Sequence, residues 1–290
     1  MLFRSLGTAV ALAIPAGCLM AYVRRSTSDY VIRVVTIVGV TIPSFWLGIV
    51  LILGAYKLVP GFAREGVLDL KPGVADNFPR ANYHMSSPGI LYKNLIITGA
   101  QGQEDVPQGP AMDIRAWDVR TGKLAWTFHL FPHPGEVGAE TWPKDRYINA
   151  GSPAAWGAAT VDRERGLVFL PVGQPSPQYY GGDREGQNLF SSSIVALDAN
   201  TGKLKWHFQM THHDMWDYDA EAAPALLDVT RNGRKIPAVV AISKASLMFL
   251  LDRRNGKPIF PVEERPVPQS AVPGEHSWPT HPFPVAPKIG

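Results

Sequence analysis

One recurring motif constrains the fold of this chain more than any other feature. Residues 116–128 read AWDVRTGKLAWTF and residues 196–208 read ALDANTGKLKWHF, so that Ala, Asp, Thr-Gly-Lys-Leu, Trp and Phe return at the same offsets. A weaker copy, LLDRRNGKPIF, lies at 250–260. A motif that recurs with unequal spacing indicates a repeated supersecondary unit whose loops differ in length.

The motif itself predicts a pair of antiparallel strands. The residues before the Asp form one strand, Asp-x-x-Thr-Gly forms a tight turn in which Gly takes a positive φ, and Lys-Leu-x-Trp returns as the next strand. Another pair of apolar segments lies upstream of each copy, at 87–99, 157–173 and 223–242. We therefore predict an all-β fold of three four-stranded units.

Such four-stranded units are typical of the blades of a β-propeller, and the motif Trp can pack between neighbouring sheets. Propellers close with about four to eight blades, so three units form an incomplete propeller whose first and last blades expose strand edges. A two-sheet sandwich is the alternative architecture. It gives no reason for a fixed Asp-x-x-Thr-Gly-x-x-x-Trp motif.

The N-terminal part of the chain predicts two transmembrane helices. Residues 6–23 and 34–56 contain no charged side chain, and each run can cross a hydrocarbon core of about 30 Å at about 1.5 Å per helical residue. A cleaved signal peptide is the alternative for the first run. Arginines in the connection between the runs favour a cytoplasmic loop. We expect residues 1–61 to lie in a bacterial inner membrane and residues 62–290 to lie in the periplasm.

Charge and cysteine content exclude several classes of function. The chain has 28 Lys and Arg against 25 Asp and Glu, and a net charge of +3 gives no indication of nucleic-acid binding. Cys18 is the single cysteine, so the chain by itself can form neither a disulfide framework nor a cysteine-based metal site.

The repeated motif resembles the tryptophan-docking motif of the bacterial quinoprotein dehydrogenases, eight-bladed propellers that bind pyrroloquinoline quinone (PQQ) and calcium on their axis. The resemblance covers about residues 66–290. Within it, THHDMWDYD at 211–219 and AISKASLMFLLDRRNGKPIFPVEERPVPQ at 241–269 resemble the membrane-bound, glucose-dehydrogenase-like branch. This resemblance implies oxidation of an aldose or alcohol by hydride transfer to PQQ, with electrons passed to ubiquinone or a cytochrome.

The same resemblance assigns roles to individual residues. Asp217 takes the position of the catalytic base and of a calcium ligand, Lys244 that of the cation beside the quinone, and Trp156 that of the cofactor pocket's floor. The chemistry requires such a base, because the hydroxyl proton must be removed as hydride leaves the carbon. From the residues alone, Asp214 and Asp219 could serve equally well.

Five further assignments complete the predicted site. Gln174 stands where the alcohol-oxidising relatives carry a calcium-binding asparagine, and we predict that it contacts the cofactor and binds Ca²⁺ through its amide oxygen. Glu104 is the predicted carboxylate ligand of the metal. We expect His212, His213 and Asp214 to shape the substrate pocket.

A second resemblance concerns the start of the chain. Residues 24–61, RRSTSDYVIRVVTIVGVTIPSFWLGIVLILGAYKLVPG, resemble permease subunits of ABC importers for dipeptides, oligopeptides and nickel, with the match at Ile42 to Gly48. It leaves open a transport component in which the propeller is a fusion artefact, although the ATPase-coupling segment of that family is absent. A non-enzymatic binding propeller is a third alternative. Because upstream blades supply further cofactor contacts in quinoproteins, we expect this chain alone to bind PQQ weakly or not at all.

Overall fold

The regular structure described after residue 69 consists mainly of antiparallel β-sheets. The computed structural model describes residues 27, 30, 31, 70–74, 76–78, 81–102, 104–144 and 151–285. The chain divides into the units Met1–Leu68 and Asp69–Gly290, and every described strand lies in the second unit. A single 3-10 turn, Ala139–Thr141, interrupts the strands of the described segments. The predicted all-β class is confirmed.

Two sheets have the four strands predicted for a propeller blade. In each, the strands follow one another in chain order and pair antiparallel. Sheet I comprises β1 (Ile90–Tyr92), β2 (Leu95–Thr98), β3 (Ile114–Asp118) and β4 (Leu124–Phe128). Sheet II comprises β5 (Thr160–Asp162), β6 (Leu167–Val172), β7 (Ser193–Asp198) and β8 (Leu204–Gln209).

Sheet III departs from the prediction. It has three strands, β9 (Ala225–Arg231), β10 (Arg234–Ile242) and β11 (Met248–Asp252). The predicted fourth strand is reduced to a single bridge between Leu251 and Pro258. Pro258 has no amide hydrogen to donate, and the next residue, Ile259, donates its N–H to the backbone oxygen of Leu250 at 2.8 Å, so the pairing is confined to a short stretch. A separate hairpin of β12 (Val262–Pro266) and β13 (Thr280–Pro284), which the sequence analysis did not predict, follows.

The turn of the repeated motif forms as predicted. Asp118 Oδ1 accepts hydrogen bonds from the backbone N–H groups of Arg120 and Thr121, both at 2.9 Å, and Gly122 adopts a φ of 68°. The second copy repeats these contacts around Asp198. A carboxylate that accepts the turn's own amides fixes the hairpin without a long-range partner, because both bonds lie within three residues.

The motif tryptophans dock neighbouring sheets, also as predicted. Trp126 of sheet I lies against Gly202 of sheet II, and Trp206 of sheet II lies against Gly256 of sheet III. A Cβ atom would stand 2.5 Å from the Trp126 ring at Gly202 and 2.6 Å from the Trp206 ring at Gly256. Trp206 Nε1 also donates to the backbone oxygen of Arg253 at 3.1 Å. Each indole therefore needs a glycine beneath it.

Two hydrophobic cores fill the spaces between the sheets. Strand β1 lies beside β5, and β5 lies beside β9, so these are the adjoining innermost strands. The core between sheets I and II is built around Ile97, Ile114, Val168, Leu170 and Val195, all almost completely buried. The core between sheets II and III is built around Phe169, Ile194, Val239, Phe249 and Leu251.

The two predicted membrane spans lie outside the described residues. Among the residues that are described, no helix is long and apolar enough to cross a bilayer. The boundary predicted between residues 61 and 62, the membrane location and the periplasmic orientation therefore remain predictions.

Candidate active site

Four of the predicted site residues meet at one edge of sheets II and III. Trp156 precedes β5 and Gln174 follows β6, and the loop from β8 to β9 carries Asp217. Lys244 follows β10. In an antiparallel sheet, the start of one strand and the end of the next lie at the same edge. Residues distant in sequence are therefore gathered by the strand order itself.

Lys244 connects the members of this cluster. Its Nζ atom lies 2.9 Å from Asp217 Oδ1 and 2.9 Å from Asp219 Oδ2. It also lies 5.5 Å from the centroid of the Trp156 ring, whose Nε1 donates to Asp219 Oδ2 at 3.3 Å. The backbone N–H of Lys244 donates to the backbone oxygen of Asp219 at 2.9 Å, which anchors the lysine beside the carboxylates.

The charges of the cluster shift the pKa of two members. Burial opposes the charged form of Lys244, but hydrogen bonds with Asp217 and Asp219 and the negative charge of both outweigh it and raise its pKa. Burial raises the pKa of Asp219, and hydrogen bonds from Gln174 and Lys244 oppose that rise. Lys244 therefore remains an ammonium at neutral pH.

The three aspartates of the β8–β9 loop have different environments. Asp214 is fully buried and accepts hydrogen bonds from Ser192 Oγ at 2.6 Å and from the backbone N–H groups of Trp216 and Tyr218, each at 2.9 Å. Burial raises the pKa of Asp214 to about 6. These are contacts that fix the loop, and the predicted substrate-pocket role of Asp214 stays a prediction.

Asp219 and Asp217 differ in access. Both oxygens of Asp219 accept hydrogen bonds, Oδ1 from the backbone N–H of Gln174 at 2.6 Å and Oδ2 from Lys244 and Trp156. Its side chain is 4% exposed, whereas that of Asp217 is 27% exposed. Asp217 also has a φ of 60°, a left-handed conformation that is uncommon outside glycine. Of the three, Asp217 is the carboxylate that an external molecule can reach.

The side-chain amide of Gln174 lies beside Asp217, and its predicted role as a metal ligand stays a prediction. Its amide fits best with Nε2 donating to the backbone oxygens of Asp214 and Gln178, both at 3.2 Å. The amide oxygen then takes the position 3.5 Å from Asp217 Oδ1. Two oxygens that face each other without a hydrogen between them form the kind of pair that Ca²⁺ coordinates. Gly173 lines the same cluster, and a Cβ there would stand 2.6 Å from Asp219 Oδ1.

Glu104 belongs to a neighbouring loop. Its carboxylate accepts a hydrogen bond from Gln101 Nε2 at 2.7 Å, and its backbone oxygen accepts one from Gln178 at 3.2 Å. Those bonds join the Glu104 loop to the segment that carries Gln174, but none of them joins its carboxylate to Gln174 or Asp217. Its role as a metal ligand stays a prediction.

His212 and His213 are buried in the base of the β8–β9 loop. His212 Nδ1 lies 2.8 Å from Gln209 Oε1 and its Nε2 lies 3.2 Å from Glu264 Oε1. His213 Nδ1 lies 2.9 Å from Asn188 Oδ1, and burial lowers the pKa of His213 to about 4, so this ring is neutral at pH 7. The predicted pocket-shaping role of the two histidines stays a prediction.

A cavity of about 590 Å³ borders the same loop. Trp216 and Tyr218 line it, with ring centroids 5.9 Å apart and ring planes 27° apart. Two large aromatic residues two positions apart among acidic residues are the signal that could have identified them. No signal in the local sequence marks Ser192 as a partner of Asp214, since it lies 22 residues away.

Comparison with known proteins shows the family. The chain matches, over residues 54–289, the family described as PQQ: Glucose/ethanol/alcohol dehydrogenase, beta-propeller domain. It is 40% identical over 229 residues to the quinoprotein glucose dehydrogenase of Escherichia coli, which covers 78% of this chain and 28% of that protein. It is 34% identical over 233 residues to the glycerol dehydrogenase large subunit of Gluconobacter thailandicus, covering 78% and 30%. The chain thus spans less than a third of these curated relatives.

Solved structures give the same result. The quinohaemoprotein alcohol dehydrogenase of Comamonas testosteroni matches with a TM-score of 0.54 and 30% identity, over 68% of this chain and 30% of that one. A quinohaemoprotein alcohol dehydrogenase of Pseudomonas putida matches with a TM-score of 0.53 and 30% identity, over 60% and 28%. Sheets I to III are therefore propeller blades, and the chain belongs to the PQQ-dependent glucose/ethanol/alcohol dehydrogenase β-propeller family.

Proposed function

We propose that this chain carries the base, the cation and the ring floor of a dehydrogenase site that oxidises an aldose or an alcohol with PQQ as hydride acceptor. The observation that carries the proposal is the cluster in which Lys244 joins Asp217 and Asp219 beside Trp156. The relatives described above, which include a glucose dehydrogenase and a glycerol dehydrogenase, support the same class of substrate.

Asp217 is the proposed catalytic base. Oxidation of a hydroxyl to a carbonyl needs an acceptor for the hydroxyl proton as hydride departs, and a carboxylate within hydrogen-bond reach provides it. Lys244 holds Asp217 Oδ1 at 2.9 Å, and the side chain remains 27% exposed. Asp219 and Asp214 instead hold the surrounding loops in position, because their carboxylate oxygens accept hydrogen bonds from the protein.

The residues around Lys244 fit a planar anionic cofactor. The half-buried indole of Trp156 offers a flat apolar surface on which a planar ring system can stack. The Lys244 ammonium can stabilise negative charge on an oxygen close to it, in the manner of an oxyanion hole. When bound, PQQ would supply the two-electron acceptor for the hydride.

The oxygen donors near Asp217 fit a calcium ion. Ca²⁺ accepts carboxylate and amide oxygens in flexible cages of about six to eight ligands. Asp217 Oδ1 and the amide oxygen of Gln174 would be two of them, and we include the carboxylate of Glu104 as a third. The remaining positions would be taken by the cofactor or by water.

We further propose that electrons pass to ubiquinone or a cytochrome and that the chain is held at the bacterial inner membrane with its blades in the periplasm. The support is the pair of uncharged runs at 6–23 and 34–56 with arginines between them.

The test is substrate-dependent dye reduction by the purified full chain with excess PQQ and Ca²⁺, using glucose, glycerol and ethanol. Asp217→Asn should lower the rate by about 10²–10⁴-fold, the usual contribution of a general base. Asp228→Asn is the matched control, because Asp228 also lies 2.9 Å from a lysine, Lys235, but on sheet III away from the cluster. Equal rates of dye reduction in Asp217→Asn and wild type would refute the proposal. No reduction by the wild type would show that this chain alone does not complete the cofactor site, as expected if further blades supply contacts to PQQ.

A further inference from the structure

A second cluster of metal-ligand side chains lies in the loop that follows β4. His129, His133 and Glu136 each offer one ligand atom, and these atoms lie within 4.8 Å of one another. None of the three belongs to the candidate active site. We propose that they form a binding site for one divalent transition-metal ion, with Zn²⁺ as its preferred occupant.

The side chains converge from both ends of a short turn. His129 Nδ1 lies 2.9 Å and 3.1 Å from the two carboxylate oxygens of Glu136. The rings of His129 and His133 stack with centroids 3.9 Å apart and planes 13° apart. Metal–ligand bonds of about 2.1 Å in a tetrahedron put ligand atoms about 3.4 Å apart. To hold an ion, the ligand atoms, which lie within 4.8 Å of one another, must therefore approach by about 1 Å, and the two imidazoles must tilt from their parallel stack.

The backbone holds this turn in place before any ion arrives. The N–H of His133 donates to Glu136 Oε2 at 2.7 Å, and the N–H of Glu136 donates to the backbone oxygen of His133 at 2.9 Å. Gly135 supplies a φ of 89° between them. A preformed turn reduces the entropy lost when its side chains bind an ion.

A buried carboxylate stands behind the first histidine. Asp113 Oδ2 lies 4.0 Å from His129 Nε2, the ring nitrogen that does not face Glu136, and Asp113 is 5% exposed. Histidines that bind metals usually direct their second ring nitrogen to a carboxylate, which fixes the tautomer and the ring orientation. The 4.0 Å separation is longer than a hydrogen bond, so Asp113 lies on the side of His129 where such a carboxylate stands but must approach before it can orient the ring.

The donor set selects the class of metal. Two imidazoles and one carboxylate suit Zn²⁺ and its neighbours in the transition series, whereas Ca²⁺ and Mg²⁺ prefer oxygen alone. Three protein ligands leave a fourth position for water. The side chains of His129 and Glu136 are 27% and 44% exposed, so an ion can enter from solvent.

The test is calorimetric titration of the chelator-treated full chain with ZnCl₂ in buffer that contains excess Ca²⁺. We expect one Zn²⁺ per chain, and we expect His133→Gln and Glu136→Gln each to weaken binding at least about tenfold. The control is His84→Gln, because His84 is an exposed histidine bonded to Asn82 at 3.1 Å, outside the cluster, and should leave binding unchanged.

X-ray absorption by the zinc-loaded wild type tests the site without any variant. A first shell with two imidazole nitrogens and carboxylate or water oxygens supports the site. A shell with fewer than two imidazoles overturns it. The proposal also fails if the wild type takes up no stoichiometric Zn²⁺, or if the folded double variant His133→Gln/Glu136→Gln binds as well as the wild type.

Discussion

Replacement of Gly256 by alanine should destabilise the folded chain because the added methyl group displaces the Trp206 ring, which packs against this glycine. Gly256 has a φ of 72°, and a Cβ there would stand 2.6 Å from the ring, against about 3.5–4.0 Å for carbon atoms in contact. The ring or the turn must move by about 1 Å. That movement also strains the hydrogen bond from Trp206 Nε1 to Arg253.

The cost has two parts that the chain itself can separate. Gly233 has a φ of 71° and nothing within 4 Å of the position of a Cβ, so Gly233→Ala measures the left-handed backbone cost alone, about 1–2 kcal/mol. Gly256→Ala adds overpacking of about 1–3 kcal/mol. We therefore expect it to lower the free energy of unfolding by about 2 kcal/mol more than the control, which corresponds to a further fall in Tm of about 4–8 °C.

The assay is urea unfolding of both variants and the wild type, followed by tryptophan fluorescence, with the m value compared to verify that the folded states are equivalent. If Gly256→Ala is no less stable than Gly233→Ala, the indole does not press on this turn, and the argument that the motif glycines are required by docked tryptophans is wrong.

Three further outcomes follow from the contacts of the site. Asp219→Ala should cost about 3–5 kcal/mol of stability, because it leaves buried donors unpaired, whereas the more exposed Asp217→Ala should cost about 1 kcal/mol or less; equal losses in urea unfolding would contradict the distinction. The pKa of Asp214 is raised to about 6, so its folded form holds a proton that the unfolded chain releases, and its contribution to stability falls as pH rises from about 4 to 6. The Asp214→Asn variant lacks this loss, so between about pH 4 and 6 the slope of its free energy of unfolding against pH should be more positive than that of the wild type, by up to about 1.4 kcal/mol per pH unit. An unchanged slope would count against a buried, protonated Asp214. Gly173→Ala should weaken PQQ-dependent quenching of tryptophan fluorescence if the chain binds PQQ, because a Cβ 2.6 Å from Asp219 Oδ1 displaces that carboxylate; unaltered quenching would show that Asp219 does not support the cofactor site.

The repeated hairpin could be predicted because its determinants are local. Asp118 accepts amides only two and three residues ahead, and Gly122 supplies the positive φ that the turn requires. In the third copy the turn at Asp252 and Gly256 forms as predicted, but the strand that should follow it is reduced to one bridge at Pro258.

Four residues predicted for the site, Trp156, Gln174, Asp217 and Lys244, lie together in the structure, but the different environments of the three aspartates could not be predicted. Asp214, Asp217 and Asp219 are equivalent as residue types, and they differ only in what surrounds each carboxylate. Ser192 and the backbone N–H of Gln174, which donate hydrogen bonds to these carboxylates, come from other parts of the chain. Nothing in the local sequence predicts them. Accessibility is a property of the folded arrangement, so residue types alone could not distinguish Asp217, and before the structure only the family resemblance assigned it.

The candidate site also lies at the interface between two blades. Trp156 and Gln174 belong to sheet II, whereas Lys244 belongs to sheet III, and Trp206 on Gly256 joins the same sheets at the opposite end of β11. The binding of a small molecule that contacts both sheets is then thermodynamically linked to the packing of the two sheets. At a concentration of about 100 times its Kd, such a molecule stabilises the packed state by about 2.7 kcal/mol. By reciprocity, loosening the distant indole would lower affinity at the site, although no atom near the ligand had changed.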